Sequence, residues 1–104
     1  MIRAFLFATV IATVITRCDL AEAAEVTIDN FTFTPAVLTI KPGETVTFVN
    51  HDDIPHSVVG KGGAFRSKTL DTDDKFSFTF ATAGEFAFFC GLHPHMTGKV
   101  IVAP

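Results

Sequence analysis

The chain has 104 residues, 48% of them hydrophobic, and a formal net charge of −3, so its length fits one domain. This composition excludes an intrinsically disordered chain, because there is enough apolar surface to form a core. The sequence contains no basic run or stripe, which argues against nucleic acid or an anionic membrane surface as a partner. All twelve aromatic residues are Phe, and we expect them to lie in the core.

The first predicted element is an export signal over residues 1–23. Arg3 precedes an apolar run, 4–15, which has the length of a signal-peptide hydrophobic region and is too short to span a bilayer. Ala21-Glu22-Ala23 has the small-x-small form that signal peptidase cleaves. We therefore expect removal of this segment, a periplasmic domain over 24–104 and no stable membrane insertion. An uncleaved N-terminal anchor is the alternative.

From Ala24 onward, polar and apolar residues alternate with period two, which indicates half-buried strands. The strands predicted from this alternation are 30–34, 37–40, 45–50, 56–59, 75–80, 85–90 and 99–102. Turn signals such as Pro42-Gly43 and Ala83-Gly84 separate them, and 71–74 is expected to be a solvated polar turn. The pattern predicts an all-β fold, a two-sheet antiparallel Greek-key sandwich of seven or eight strands.

The segment Cys90-Gly91-Leu92-His93-Pro94-His95-Met96 combines a thiol, two imidazoles and a thioether. It follows a predicted strand, so we expect it to be one loop at an edge of the sandwich, with Cys90 facing inward. Once residues 1–23 are removed, Cys90 is alone and cannot form an internal disulfide. Metal ligation would explain this free thiol, whereas a buried, unreactive cysteine is the alternative.

Soft sulfur ligands combined with imidazole favour copper, and a thioether is a poor ligand for zinc. A copper site of this type needs a second histidine besides His93. His95 lies on the same short segment, where simultaneous ligation would be strained. His51 lies in a polar loop and is expected to be solvated, whereas His56 follows Pro55, whose fixed φ defines how the chain approaches it.

Pro55-His56-Ser57-Val58 followed by Cys90-x-x-His93-x-x-Met96 resembles the cupredoxins, the type I blue copper proteins. The short spacing to Met96 is most similar to the amicyanins, within a group that also includes the plastocyanins and pseudoazurins. The resemblance implies that His56, Cys90, His93 and Met96 bind one copper ion that alternates between Cu(II) and Cu(I). Many cupredoxins have Asn after the first histidine, where its side chain ties the two ligand loops together, whereas this chain has Ser57.

The resemblance also implies an exported monomer that carries single electrons between redox partner proteins. A dehydrogenase and a cytochrome c are the partners it suggests, and they would dock near Leu92, His93 and Pro94. Copper delivery or storage is the alternative. We do not predict an enzyme, because the sequence shows no second metal cluster, no Ser-His-Asp set and no paired carboxylates.

Overall fold

The computed structural model describes residues 24–104, which form eight strands and a short 3₁₀ turn at Lys61–Gly63. The strands are β1 (Ala24–Asp29), β2 (Thr32–Thr34), β3 (Val37–Ile40), β4 (Glu44–Asn50), β5 (Val59–Gly60), β6 (Lys75–Phe80), β7 (Gly84–Cys90) and β8 (His93–Val102). They form two sheets of four strands, in the orders β2-β1-β4-β6 and β3-β8-β7-β5. The predicted all-β two-sheet sandwich is confirmed.

Both sheets are mixed, and the expectation of purely antiparallel pairing is wrong in this respect. The strands β1 and β4 are parallel, as are β3 and β8, while the other pairs are antiparallel. The chain crosses from β2 in one sheet to β3 in the other and back to β4. A hairpin forces consecutive strands to be antiparallel, but a crossing between sheets places no such constraint on strands that later become neighbours.

Two local predictions need correction. The predicted strand over 56–59 is mostly absent, because β5 begins only at Val59 and His56 forms an isolated bridge with Leu70. The predicted loop over 90–96 is much shorter, since only Gly91 and Leu92 lie between β7 and β8. Both differences affect how the candidate metal ligands are held.

The core lies between the sheets and is rich in Phe, as the composition indicates. Phe48 of one sheet and Phe88 of the other meet edge to face, with ring centroids 5.3 Å apart. Phe88 also contacts Phe33 in a T-shaped pair at 4.8 Å. The expectation that every Phe lies in the core is wrong for Phe31, which is 51% exposed. Phe86, Phe88 and Cys90 share the inward face of β7, as predicted.

Within residues 24–104 there is no helix with the length and apolar character needed to cross a membrane. The polar segment 71–74 is an exposed turn, as expected, in which the Asp71 N–H donates to the Asp74 carboxylate at 2.9 Å. The predicted export signal, 1–23, lies outside the described residues and stays a prediction.

Candidate metal centre

The β7–β8 hairpin brings Cys90 and His93 together. The two residues are paired across the hairpin, but the preceding pair is Phe89 with Thr97. The register therefore shifts between Phe89 and Cys90, so that β8 contains an irregular stretch over 94–96. Such bulges bend a strand and redirect its side chains. Here the shift brings His93 beside Cys90 and leaves Met96 buried three residues further on.

His56 enters from the connection between β4 and β5. Its backbone is held by two hydrogen bonds with Leu70: the His56 N–H donates to the Leu70 carbonyl at 3.1 Å, and the His56 carbonyl accepts from the Leu70 N–H at 2.7 Å. Its side chain is fully buried. A buried imidazole requires polar partners, because an unsatisfied ring nitrogen away from water is costly. The two nitrogens of His56 have different neighbours, which determines their roles.

The three donor atoms of His56, Cys90 and His93 form a compact group. They lie within 4.8 Å of one another, with Cys90 Sγ 3.6 Å from His56 Nδ1 and 3.7 Å from His93 Nδ1. A metal with bonds of about 2.3 Å to sulfur and about 2.0 Å to nitrogen, at angles between tetrahedral and trigonal, separates such donors by roughly 3.5–3.8 Å. The observed separations therefore fit a shared metal ion.

Asp52 fixes the orientation of His56. Its Oδ2 lies 2.9 Å from His56 Nε2, and a carboxylate oxygen can only accept, so Nε2 carries a hydrogen and Nδ1 faces Cys90. The hydrogen bond from His56, followed by the one from the Phe31 N–H, lowers the pKa of the Asp52 carboxyl below its ordinary value. A histidine that binds metal through one nitrogen is commonly oriented in this way through the other.

Asn50 organises the loop that carries Asp52. Its fully buried amide donates to the carbonyls of Ile54 at 3.0 Å and Leu70 at 2.9 Å, and it accepts from the Asp52 N–H at 2.9 Å. Neither Asn50 nor Asp52 is among the site residues predicted from the sequence. The available signal was the Asn50-x-Asp52 spacing, because Asn side chains often bond to the backbone two residues further on.

Ser57 connects the two segments that carry the donors. Its hydroxyl accepts from the Gly91 N–H at 2.9 Å, and its own N–H donates to Cys90 Sγ at 3.4 Å. Many cupredoxins connect the two ligand loops through an Asn side chain, and in this chain the Ser57 hydroxyl makes the connection. Gly91 permits the approach, since an added Cβ would lie 2.7 Å from Ser57 Oγ and 3.2 Å from a methyl of Val59.

The remaining sulfur and imidazole groups take different positions. Met96 is buried and belongs to the same hydrophobic cluster as Cys90. His95 is exposed. His51 is half exposed and lies 3.7 Å from the Asp73 carboxylate. Of the three candidates for a second histidine, the structure brings His56 into the donor group with Cys90 and His93.

Phe31 lies beside this group although it comes from a distant part of the sequence. Its ring meets the His93 ring edge to face at a centroid distance of 5.0 Å and the His56 ring at 5.6 Å. Its N–H donates to the same Asp52 oxygen that accepts from His56, at 3.1 Å. From the sequence, Phe31 is expected to lie in the core with the other Phe residues.

Comparison with known proteins yields a consistent set of matches. The family model for a cupredoxin-like domain matches residues 2–102. An amicyanin from Paracoccus versutus is 41% identical over 87 residues, which covers 79% of this chain and 66% of that protein. A chloroplastic plastocyanin from Chlamydomonas reinhardtii is 37% identical over 83 residues, which covers 67% of this chain and 57% of that protein. The crystal structure of the Paracoccus versutus amicyanin superposes on this chain with a TM-score of 0.74 and is 39% identical to it in sequence. The match covers 82% of this chain and 85% of that chain.

The chain thus spans less than two thirds of the length of these two curated relatives. The match to the solved amicyanin is more nearly complete on both sides. The similarity therefore extends over the sandwich and includes the segments that carry the donor group.

Proposed function

The chain belongs to the cupredoxin-like domain family, and on that premise we propose that it is a blue copper protein that carries single electrons between redox partners. The observation that carries the proposal is the group of one buried thiol and two imidazoles, whose donor atoms lie within 4.8 Å of one another. Copper bound there supplies a Cu(II)/Cu(I) couple that accepts and returns one electron. A thiolate with two imidazoles and a weak thioether is the donor set typical of such sites.

We assign His56, Cys90, His93 and Met96 as the ligands. The hydrogen bond from His56 Nε2 to Asp52 leaves His56 Nδ1 free to bind metal, and the Ser57 N–H donates to the Cys90 sulfur. The Ser57–Gly91 hydrogen bond restrains the two ligand segments relative to each other. A carrier benefits from such restraint, because ligands that barely move between redox states keep the reorganisation that accompanies electron transfer small.

Partner proteins would approach at the β7–β8 turn. Leu92 is 49% exposed, Pro94 is exposed, and His93 is partly buried with Nδ1 directed at Cys90. A small apolar patch of this kind suits a weak, rapidly released complex. We propose redox partner proteins such as a dehydrogenase or a cytochrome c, and a monomeric carrier in the periplasm.

Copper delivery or storage is the alternative function. Delivery requires that the ion be released readily, whereas here Cys90 and His56 are fully buried and His56 is held by Asp52. These features favour a retained ion. Four protein donors would also leave no open coordination position for a substrate, so we propose a carrier and not an enzyme.

Copper titration of the protein tests the proposal. We expect one equivalent of Cu(II) to produce an intense visible band that a reductant removes and reoxidation restores. Cys90→Ser should lose the band, because the colour arises from charge transfer from thiolate to Cu(II), while Met96→Leu should retain a coloured site. A colourless protein that binds Cu(I) alone would indicate delivery, and a protein that binds no copper would contradict the proposal.

A further inference from the structure

The turn between β1 and β2 has a sequence that its backbone disfavours. Asp29 pairs with Thr32, so the connection consists of two residues, Asn30 and Phe31, with φ values of 52° and 57°. Positive φ at both positions is the geometry of a type I′ hairpin turn, for which Asn-Gly is the preferred sequence. Asn tolerates the first position, but a bulky side chain in the left-handed region is strained. Phe31 therefore occupies a position better suited to glycine.

Burial in the core does not compensate for this strain. The side chain of Phe31 is 51% exposed, whereas Phe33, two residues later, is 2% exposed. Its aromatic contacts are with two imidazoles. It stands nearly perpendicular to the rings of both His93 and His56, at 88° in each case. Edge-to-face contacts of this kind favour one relative orientation of the two rings.

The backbone of the turn is also attached to the metal centre. The Phe31 N–H and His56 Nε2 both donate to Asp52 Oδ2, at 3.1 and 2.9 Å. This shared oxygen fixes the position of the turn relative to the buried His56. The Phe31 ring is thereby held against His93, which is the more exposed of the two imidazoles.

We propose that Phe31 is a positioning residue that holds the His93 imidazole in the orientation in which Nδ1 faces Cys90. Its role as an aid to copper binding rests on the proposed function. His93 is partly exposed and follows the two-residue turn at Gly91-Leu92, so packing inside the sandwich does not fully enclose its ring. The Phe31 ring adds a T-shaped contact at a centroid distance of 5.0 Å. Restricting the ring before metal binds lowers the cost of ordering it afterwards.

Glycine substitutions distinguish the effect of losing the Phe31 ring from the effect of relieving backbone strain in the turn. Phe31→Gly removes the ring and suits the left-handed backbone, so the unfolding temperature of the metal-free protein should be unchanged or higher. The same variant should bind Cu(I) roughly tenfold more weakly in competition with a chelator. It should also shift the reduction potential and the EPR spectrum of the Cu(II) form.

Two matched controls accompany this variant. Asn30→Gly relieves strain at the neighbouring position and keeps the ring, so its affinity and spectra should equal those of the wild type. Val37→Ala removes another exposed apolar side chain, on β3 in the other sheet, and should also leave the Cu(I) affinity and the spectra unchanged. Phe31→Leu keeps apolar bulk but has no aromatic ring, so its Cu(I) affinity should lie between that of Phe31→Gly and that of the wild type.

Measurements on the metal-free proteins distinguish failure of this inference from failure of the proposed function. NMR of the His93 ring should show one orientation, with contacts to the Cys90 methylene, in the wild type and Asn30→Gly. In Phe31→Gly the ring should sample several orientations. If the wild type binds no copper, the proposed function fails while the ring measurement still decides the role of Phe31. Wild-type ring order together with wild-type copper affinity in Phe31→Gly would overturn the inference.

Discussion

Asp52 links three parts of the structure through one carboxylate. Besides accepting from His56 and Phe31 through Oδ2, it accepts from the Asp53 N–H through Oδ1 at 3.0 Å. These donors favour the ionised form, with the bond to His56 the largest cause, so the pKa of the carboxyl is lowered. A group whose pKa is lower in the folded state stabilises that state when it is ionised.

This linkage predicts a pH dependence for the metal-free protein. The stabilisation is present above the ordinary carboxyl pKa and is lost as the pH falls through the lowered folded value, that is, below about pH 4. We expect Asp52→Asn to be less stable at neutral pH but to lose less stability on acidification. Urea unfolding from about pH 7 to 3 measures this difference, with Asp53→Asn as a control of equal charge change. Parallel pH profiles for the wild type and Asp52→Asn would contradict the assignment.

Ser57 allows a second prediction at the scale of one residue. Ser57→Ala removes the acceptor of the Gly91 N–H while leaving the backbone bond to Cys90 in place. The loss of one hydrogen bond should lower the free energy of unfolding by about 0.5–1.5 kcal/mol and accelerate hydrogen exchange at the Gly91 amide.

Ser77→Ala is a matched control for this change. The Ser77 hydroxyl bonds to Thr47 Oγ1 at 2.8 Å across two exposed strand positions, so its loss removes a hydroxyl contact without touching the site. Exchange at Gly91 should stay at the wild-type rate in this control. Unchanged exchange at Gly91 in Ser57→Ala would mean that Ser57 does not tie the segments together.

At the scale of elements, the β7–β8 hairpin determines the site. Regular antiparallel pairing continues from Gly84 with Val102 to Phe89 with Thr97, and only the last pair, Cys90 with His93, departs from it. Regular pairing holds β8 in place on one side, and β3 pairs with it on the other. The irregular end can therefore present His93 and Met96 without loosening the rest of the strand.

Gly98 of this hairpin has no room for a side chain. A Cβ at this position would collide with the Phe88 ring, approaching Cζ and lying 2.7 Å from Cε1, and it would lie 3.0 Å from the Ala36 carbonyl oxygen. Phe88 is buried in the core and cannot move freely. Gly98→Ala should therefore destabilise the protein by about 1–3 kcal/mol through overpacking.

Chemical denaturation of Gly98→Ala and of the neighbouring Thr97→Ala checks this prediction. Thr97 is exposed, so its truncation should change the free energy of unfolding by no more than about 0.5 kcal/mol. Equal stability of the two variants would show that Phe88 can shift to accommodate the extra methyl group.

At the scale of the whole molecule, the metal centre depends on assembly of both sheets. His56 lies on the connection from β4 in one sheet to β5 in the other, whereas Cys90 and His93 belong to the second sheet. Phe31 follows β1 in the first sheet. The donors and their supports therefore come together only when the sandwich closes.

The strands also bear on the predicted processing site. Ala24, the residue after the predicted cleavage, already pairs with Val46 in β1, and both four-stranded sheets are complete within 24–104. We expect a chain that begins at Ala24 to fold and bind copper. N-terminal sequencing of the exported protein should begin at this residue. Recovery of residues 1–20 in the membrane fraction would contradict the predicted cleavage.

Local patterns in the sequence were sufficient to predict the strand-rich fold and the residues on the inward face of β7. Alternation with period two reports which side of a strand is buried, and this is a property of neighbouring residues. The types of donor and the spacing of Cys90, His93 and Met96 are likewise local. These features could be predicted because each depends on residues close together in the chain.

The features that escaped prediction depend on residues far apart in the chain. The parallel pairs follow from how the chain crosses between sheets, and the Asn50 amide reaches the Leu70 carbonyl across 20 positions. Asp52 receives the Phe31 N–H across 21 positions, which no periodicity records. The sequence by itself determined which chemical groups were present and which strand faces were apolar. Tertiary packing decided which carboxylate orients His56 and which aromatic ring packs against His93, because those contacts exist only after distant segments have been brought together.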